Sequence, residues 1–153
     1  MMQLYDIELC IRLFKLMKNK IHVFRETSLQ VVSDRFISSW IHHVMQHLQH
    51  HEYDIEVLIV DEEEGAIFNS RYRNKYGATN VLSFDTLTSG QMILCAPVIL
   101  KEAQSLKKDV SEYWAFMLIH GTLHLCGYDH EDPKDAIKME TMEDIILQDY
   151  PIQ

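Results

Sequence analysis

Apolar residues recur along the chain with two distinct periods. From Ser33 onward, Phe36, Ile37, Trp40, Ile41, Val44 and Leu48 return at the spacing of one helix face and predict a helix of about four turns. Ile21 to Phe24 reads as a short strand, and the branched run Ile55 to Val60 as a buried one. Asp61 to Glu64 then puts negative charge at the start of a further helix, where the helix dipole favours it. Asn80 to Phe84 and Met92 to Ala96 predict two more strands, joined by a turn-rich stretch with Thr88, Ser89 and Gly90. Pro97 suits the first position of a helix. Ser111 is expected to cap a strongly apolar helix that runs to Leu125 and is stopped by Gly127. Asp132-Pro133 restarts the chain as a last helix, with Met139, Met142, Ile145 and Ile146 as its apolar stripe.

Strands interspersed with helices, followed by a helix-rich C-terminal half, predict an α+β fold: a single domain with one small mixed β-sheet of about four strands covered by helices. The chain has 153 residues with 5 glycines and 3 prolines, and it shows no Gly/Ser linker and no repeat, so residues 20–153 are expected to form that one domain. Residues 1–19 read as an N-terminal extension with three open roles: an amphipathic helix packed on the domain, a weak surface-binding segment, or an upstream addition to a shorter chain. Arg12, Lys15 and Lys18 interrupt its apolar residues, so no secretory core forms there, and no apolar run elsewhere reaches the length of a membrane span.

Charge and cysteine usage narrow the setting. With 14 basic and 23 acidic residues the net charge is -9, which argues against non-specific coating of nucleic acid or anionic membrane. Cys10, Cys95 and Cys126 are far apart and form no C-x-x-C pair, so neither a disulfide framework nor a thiolate zinc site is expected, and a cytoplasmic location fits best. Cys126 reads as a small buried hydrophobe.

The candidate chemistry lies in the segment His120-Gly121-Thr122-Leu123-His124-Leu125-Cys126-Gly127-Tyr128-Asp129-His130. On a helix His120 and His124 project from one face, one turn apart. A chain turned back at Gly127 would bring His130 to them and close a three-histidine site for a divalent metal, with a coordination position left open. A lone histidine on an apolar helix is more often a hydrogen-bonded core residue, but the helical pair, the glycine and the third histidine together favour the metal. These positions also match the metzincin peptidase pattern H-E-x-x-H-x-x-G-x-x-H in register, except that Gly121 stands where the general-base glutamate belongs, which argues against peptide hydrolysis. Imidazole ligands suit zinc and also accept nickel, copper and iron. A second cluster, His42, His43, His47, His50 and His51, reads as a solvated, pH-responsive helix end that would capture zinc only adventitiously.

Between Gly65 and Phe84 there is no acidic residue, while Arg71, Arg73 and Lys75 fall at alternate positions with Tyr72 and Tyr76 interleaved. Guanidinium groups pair with phosphate oxygens and tyrosine rings stack on unpaired bases, so this island suits single-stranded nucleic acid, although a solvated helix face would have the same composition.

Two stretches carry a resemblance to a known family. H-G-x-L-H-L-x-G-Y-D-H from His120 to His130 and Y-R-x-K-x-x-x-T-N-V-L-S-F from Tyr72 to Phe84 are similar to the signatures of the YbeY family of bacterial metal-dependent endoribonucleases; a looser likeness extends from about Ile21 to Tyr150 and includes Ile59-Val60-Asp61-Glu62. The resemblance implies one zinc ion per chain on His120, His124 and His130, and Arg73 as the catalytic arginine. It also implies cleavage of single-stranded RNA at the 3' end of 16S rRNA during rRNA maturation and ribosome quality control. The implied partners are that RNA, the small ribosomal subunit and its associated proteins, with neither membrane nor DNA expected. Asp129 reads equally as an orienting group or proton carrier and as a turn former. Two departures bear on activity: Asp85 follows Ser83-Phe84 where members commonly have proline, and Gln91 follows Gly90 where they commonly have aspartate. The rival readings are a ribosome assembly factor whose metal is structural, and another small metal-dependent hydrolase.

Overall fold

The computed structural model describes residues 19–73, 77, 79–85 and 89–149, without the side chains of Arg73, Phe84 and Asp85. In chain order the elements are β1 (Asn19–Glu26), α1 (Asp34–His47), β2 (Tyr53–Val60), α2 (Glu62–Arg73), β3 (Val81–Asp85), β4 (Gly90–Cys95), α3 (Ala96–Ser105), α4 (Val110–Leu125) and α5 (Pro133–Asp149). The strands form one mixed sheet in the order β1-β2-β4-β3. Ile21 pairs with Ile55 and Val57 with Met92 in the parallel ladders, and Val81 pairs with Leu94 in the antiparallel one. The α+β expectation therefore holds, and each predicted strand is found: β1 and β2 are longer than expected, β3 is shifted by one residue, and β4 starts two residues earlier and ends one earlier.

Strand alternation divides the core between the two faces of the sheet. Ile55, Val57 and Ile59 of β2 and Met92 and Leu94 of β4 join Ile37, Trp40, Ile41 and Val44 of α1 and Trp114, Leu118, Ile119 and Leu123 of α4 in the main cluster. Val60, Leu82, Ile93 and Cys95 face the other way, with Leu58, Phe68 and Val98 packed on them. Helix α4 is apolar nearly all round because it is enclosed nearly all round: Tyr113, Trp114, Ala115, Met117, Leu118, Ile119, Gly121, Thr122 and Leu123 are buried. Both hydroxyls in that set are satisfied: Thr122 Oγ1 donates to the Leu118 carbonyl at 2.6 Å and the Tyr113 hydroxyl to the Glu102 carboxylate at 2.7 Å.

Helix starts follow the charge and side-chain pattern with one correction. Ser33 caps α1, its hydroxyl accepting from the Phe36 N–H at 3.1 Å. The cap of α4 is Asp109, which accepts from the Glu112 N–H at 3.1 Å, and not Ser111, which lies inside the first turn. A carboxylate both accepts that bond and complements the helix dipole, so it takes the cap ahead of the hydroxyl. On α5 the stripe is also redistributed: Met139 and Ile146 are buried, Ile145 is 41% exposed, and Glu143 occupies the inward position instead. No described helix is long and apolar enough to cross a membrane.

Three helices end in the same Schellman geometry, with a residue of positive φ just past the cap. Gly127 (φ 90) ends α4, but Gln49 (φ 58) and Lys107 (φ 53) do so for α1 and α3. The paired bonds for α3 are Lys107 N–H to Gln104 O at 3.1 Å and Lys108 N–H to Ala103 O at 2.9 Å. A side chain is disfavoured in this region where glycine is not. Lys107→Gly is therefore expected to raise the free energy of unfolding by roughly 0.5–1 kcal/mol, read as a higher urea midpoint at unchanged slope. A lower midpoint would show that the exposed Lys107 contributes more than its backbone conformation costs.

Candidate metal centre and its cleft

The last turn of α4 and the loop after it build the site. His120 and His124 stand one turn apart on α4. The Gly127 N–H then bonds His124 O at 3.0 Å and the Tyr128 N–H bonds Leu123 O at 3.0 Å, reversing the chain within three residues. Six residues after His124, His130 arrives beside the pair, with ring centroids 5.6 Å from His120 and 5.0 Å from His124. One ring nitrogen from each of the three lies within 4.8 Å of the others, and no other set of three metal-capable side chains is found among the described residues.

The protons on these rings follow from their acceptors. His120 Nδ1 is 2.7 Å from the Glu143 carboxylate, and His124 Nδ1 is 2.9 Å from the Tyr128 carbonyl. Each Nδ1 therefore donates its N–H, which leaves both Nε2 atoms as lone pairs. Those two atoms face each other at 3.1 Å. With both lone pairs turned into that gap, a cation placed between them would accept from both rings. Two nitrogens bound tetrahedrally at roughly 2.0–2.1 Å from one ion stand about 3.3 Å apart, close to what is seen. Burial, reinforced by the neighbouring His120 and His130 rings, holds the His124 pKa below the ordinary histidine value and keeps its lone pair available. The donor set fits a divalent ion.

A cleft of about 640 Å³ opens in front of the three rings. Its walls are the outer edge of β3 with the residues leading into it, including Thr79, Asn80 and Ser83, the loop with Asp129 and Glu131, and Asn69 of α2. Ser83 Oγ donates to the Gly121 carbonyl at 3.0 Å, tying the strand to the histidine helix. Asn80 is held three ways: Nδ2 donates to Glu102 at 3.0 Å, Oδ1 accepts from Val81 N–H at 2.7 Å, and its carbonyl accepts from Cys95 N–H at 2.9 Å. Asp129 accepts from the His130 N–H at 2.7 Å and so serves the turn.

The glycine in the glutamate position of the peptidase pattern has a packing cause. A Cβ on Gly121 would lie 2.8 Å from Met92 Sδ and 3.1 Å from Val81 Cγ2, so the close approach of α4 to the sheet favours glycine, and any side chain would have to displace the tip of Met92. A glutamate there would project into the sheet.

Other sequence candidates are placed less centrally. Arg73 ends α2, and its side chain lies outside the described residues, as do Lys75 and Tyr76; Asn69, four residues before Arg73, lines the cleft. Arg71 is exposed, and Tyr72 stacks on Phe68 with centroids 6.2 Å apart. The second histidine cluster does not converge. His42 bonds the Tyr53 hydroxyl, His43 lies 3.3 Å from the Ile146 carbonyl, and His47 is 3.9 Å from Asp149, while His50 and His51 are exposed. Burial raises the Cys126 thiol to about 11 and leaves it inert beside Met45. Gln91 departs from the family pattern on the face of the sheet opposite α4. Its amide donates to Glu56 at 2.9 Å, where an aspartate would oppose a second carboxylate across the ladder. Glu143 was missed in the sequence; its signal was an acidic residue within the stripe Met139, Glu143, Ile146.

A family model described as Endoribonuclease YbeY matches residues 21–151. The chain is 41% identical over 128 residues to a protein named Endoribonuclease YbeY from Cellvibrio japonicus, covering 78% of this chain and 72% of that one. It is 44% identical over 116 residues to a protein of the same name from Polaromonas naphthalenivorans, covering 72% and 74%. The solution structure of TM1509 from Thermotoga maritima shares the fold, with a TM-score of 0.61 at 20% identity over 84% of this chain and 87% of that one.

Adding a methyl group at the helix–sheet contact tests the packing account: Gly121→Ala is expected to lower the free energy of unfolding by roughly 1–3 kcal/mol. In the Met92→Ala background the same change should cost clearly less, and an equal cost in both backgrounds would place the clash elsewhere.

Proposed function

The chain belongs to the YbeY endoribonuclease family, and from that premise we propose that it is a zinc-dependent endoribonuclease specific for single-stranded RNA, acting in rRNA maturation at the 3' end of 16S rRNA and in ribosome quality control. The observation that carries the metal-dependent part is the pair of Nε2 atoms held 3.1 Å apart at the cleft, with His130 beside them. One zinc ion per chain on His120, His124 and His130 is the reading best suited to three imidazoles with an open position. When bound, the ion supplies Lewis-acid chemistry toward a phosphodiester.

The chain's own groups divide the remaining work. The Glu143 and Tyr128 acceptors hold two rings with Nε2 toward the cleft. Asn69, Asn80 and Ser83 give the opposite wall a polar, uncharged lining suited to sugar hydroxyls and base edges. We assign Arg73 the catalytic role of offsetting negative charge that builds on the phosphoryl oxygens, a task for which a guanidinium is well shaped. Its place at the end of α2, whose Asn69 reaches the cleft, supports this. With Gly121 where a peptidase carries its base, the motif lacks the glutamate that peptide hydrolysis uses. In this reading residues 20–153 are the catalytic domain, residues 1–19 an extension of it, and the small ribosomal subunit in the cytoplasm the place of action.

Cleavage of a single-stranded RNA carrying the 16S rRNA 3' end is the direct test, comparing zinc-loaded wild type with His124→Ala and Arg73→Ala purified identically. Arg73→Ala should cut roughly 10²–10³-fold more slowly while still binding zinc, and His124→Ala should lose both binding and cutting. Equal cutting by all three would trace the activity to a contaminant. A wild type that holds zinc yet leaves RNA intact would favour an assembly factor with a structural metal.

A further inference from the structure

Glu143 is the one acidic side chain buried among the described residues, at 5% exposure, and it stands between Met139 and Ile146 on the inner stripe of α5. A carboxylate so placed loses its hydration and is expensive unless a partner compensates. Among the described residues no lysine or arginine pairs with it, and its hydrogen bond is to His120 Nδ1, 2.7 Å away. Without an ion, the ring offers this carboxylate a single hydrogen bond. A divalent ion at Nε2 of the same ring changes that: it polarises the imidazole, strengthens the Nδ1–H as a donor, and brings net positive charge toward the carboxylate.

We propose that Glu143 is a positioning residue for the metal centre, fixing His120 in the tautomer and ring orientation that turn Nε2 to the ion, and that the bound ion strengthens the bond that compensates its burial. The inference rests on the metal-centre reading above. It implies that metal-free protein carries a carboxylate that weakens its own fold, and that metal binding draws α5 onto α4. It also implies opposite signs for two properties at one position: an apolar residue of similar size at 143 weakens metal binding and leaves the metal-free fold as stable or more so. A residue present only to hold α5 in place would show the reverse in the metal-free protein.

The test uses the full chain as wild type, Glu143→Gln and Glu143→Leu. Zinc affinity is measured by competition with a chelating dye, urea unfolding without metal, and amide exchange of residues 133–149 with and without zinc. Affinity is expected to fall roughly tenfold in Glu143→Gln, whose amide oxygen still accepts from Nδ1, and toward a hundredfold in Glu143→Leu. The metal-free Glu143→Leu urea midpoint should equal or exceed that of wild type, and zinc should protect α5 in wild type but much less in this variant. Unchanged affinity in both variants overturns the inference while leaving the metal centre standing. So does a Glu143→Leu variant whose metal-free midpoint falls, since the loss is then structural. A wild type that takes up no zinc overturns the metal reading itself.

Discussion

The contact between α4 and the sheet at Gly121 is the constraint on which the rest of the structure depends. With a prospective Cβ only 2.8 Å from Met92 Sδ, a side chain at this point would have to displace the end of Met92 from between the helix and the sheet. The Ser83 hydroxyl then reaches the helix backbone, and His120 and His124, which flank that point along α4, are fixed relative to β3. The cleft is the space left between them. The Ser83 bond to the Gly121 carbonyl ties the wall bearing Asn80 and Ser83 to the wall bearing the histidines.

Orientation comes from a second set of contacts that never face the cleft. The Tyr128 carbonyl belongs to the turn that ends α4, so the bond that directs His124 is a by-product of helix termination. The Glu143 carboxylate belongs to α5, so the bond that directs His120 joins two helices. His130 follows from the direction in which Gly127 releases the chain. Helix capping, helix packing and ligand geometry are thus parts of one arrangement, and a change to any of them is felt at the rings.

Much of this was legible in the chain. The order of strands and helices, the single mixed sheet, the histidine spacing and the Gly127 turn all appear in residue pattern, because each is governed by local periodicity or backbone conformation. The α4 cap was misplaced by two residues since Ser111 and Asp109 are both good caps and only the carboxylate has the right geometry. Glu143 shows locally only as an acidic residue in an apolar stripe, and what it does there depends on a ring 23 positions away. The second histidine cluster illustrates the converse: His43 and His47 have helical spacing, yet the first turns to α5's backbone and the second to Asp149. The island around Arg73 was visible as composition, and the position of α2 beside the cleft through Asn69 is what the structure adds.

All three histidines fall within an eleven-residue stretch, and that compactness has a thermodynamic consequence. Closing so short a loop costs little chain entropy, so the unfolded polypeptide retains a weak version of the same ligand set. An ion that binds both states stabilises the native one only by the ratio of its two affinities. A saturating metal would therefore protect this fold from denaturation by less than its native affinity suggests. The difference between the two affinities is the quantity that tertiary structure, through Gly121 and Glu143, contributes to the site.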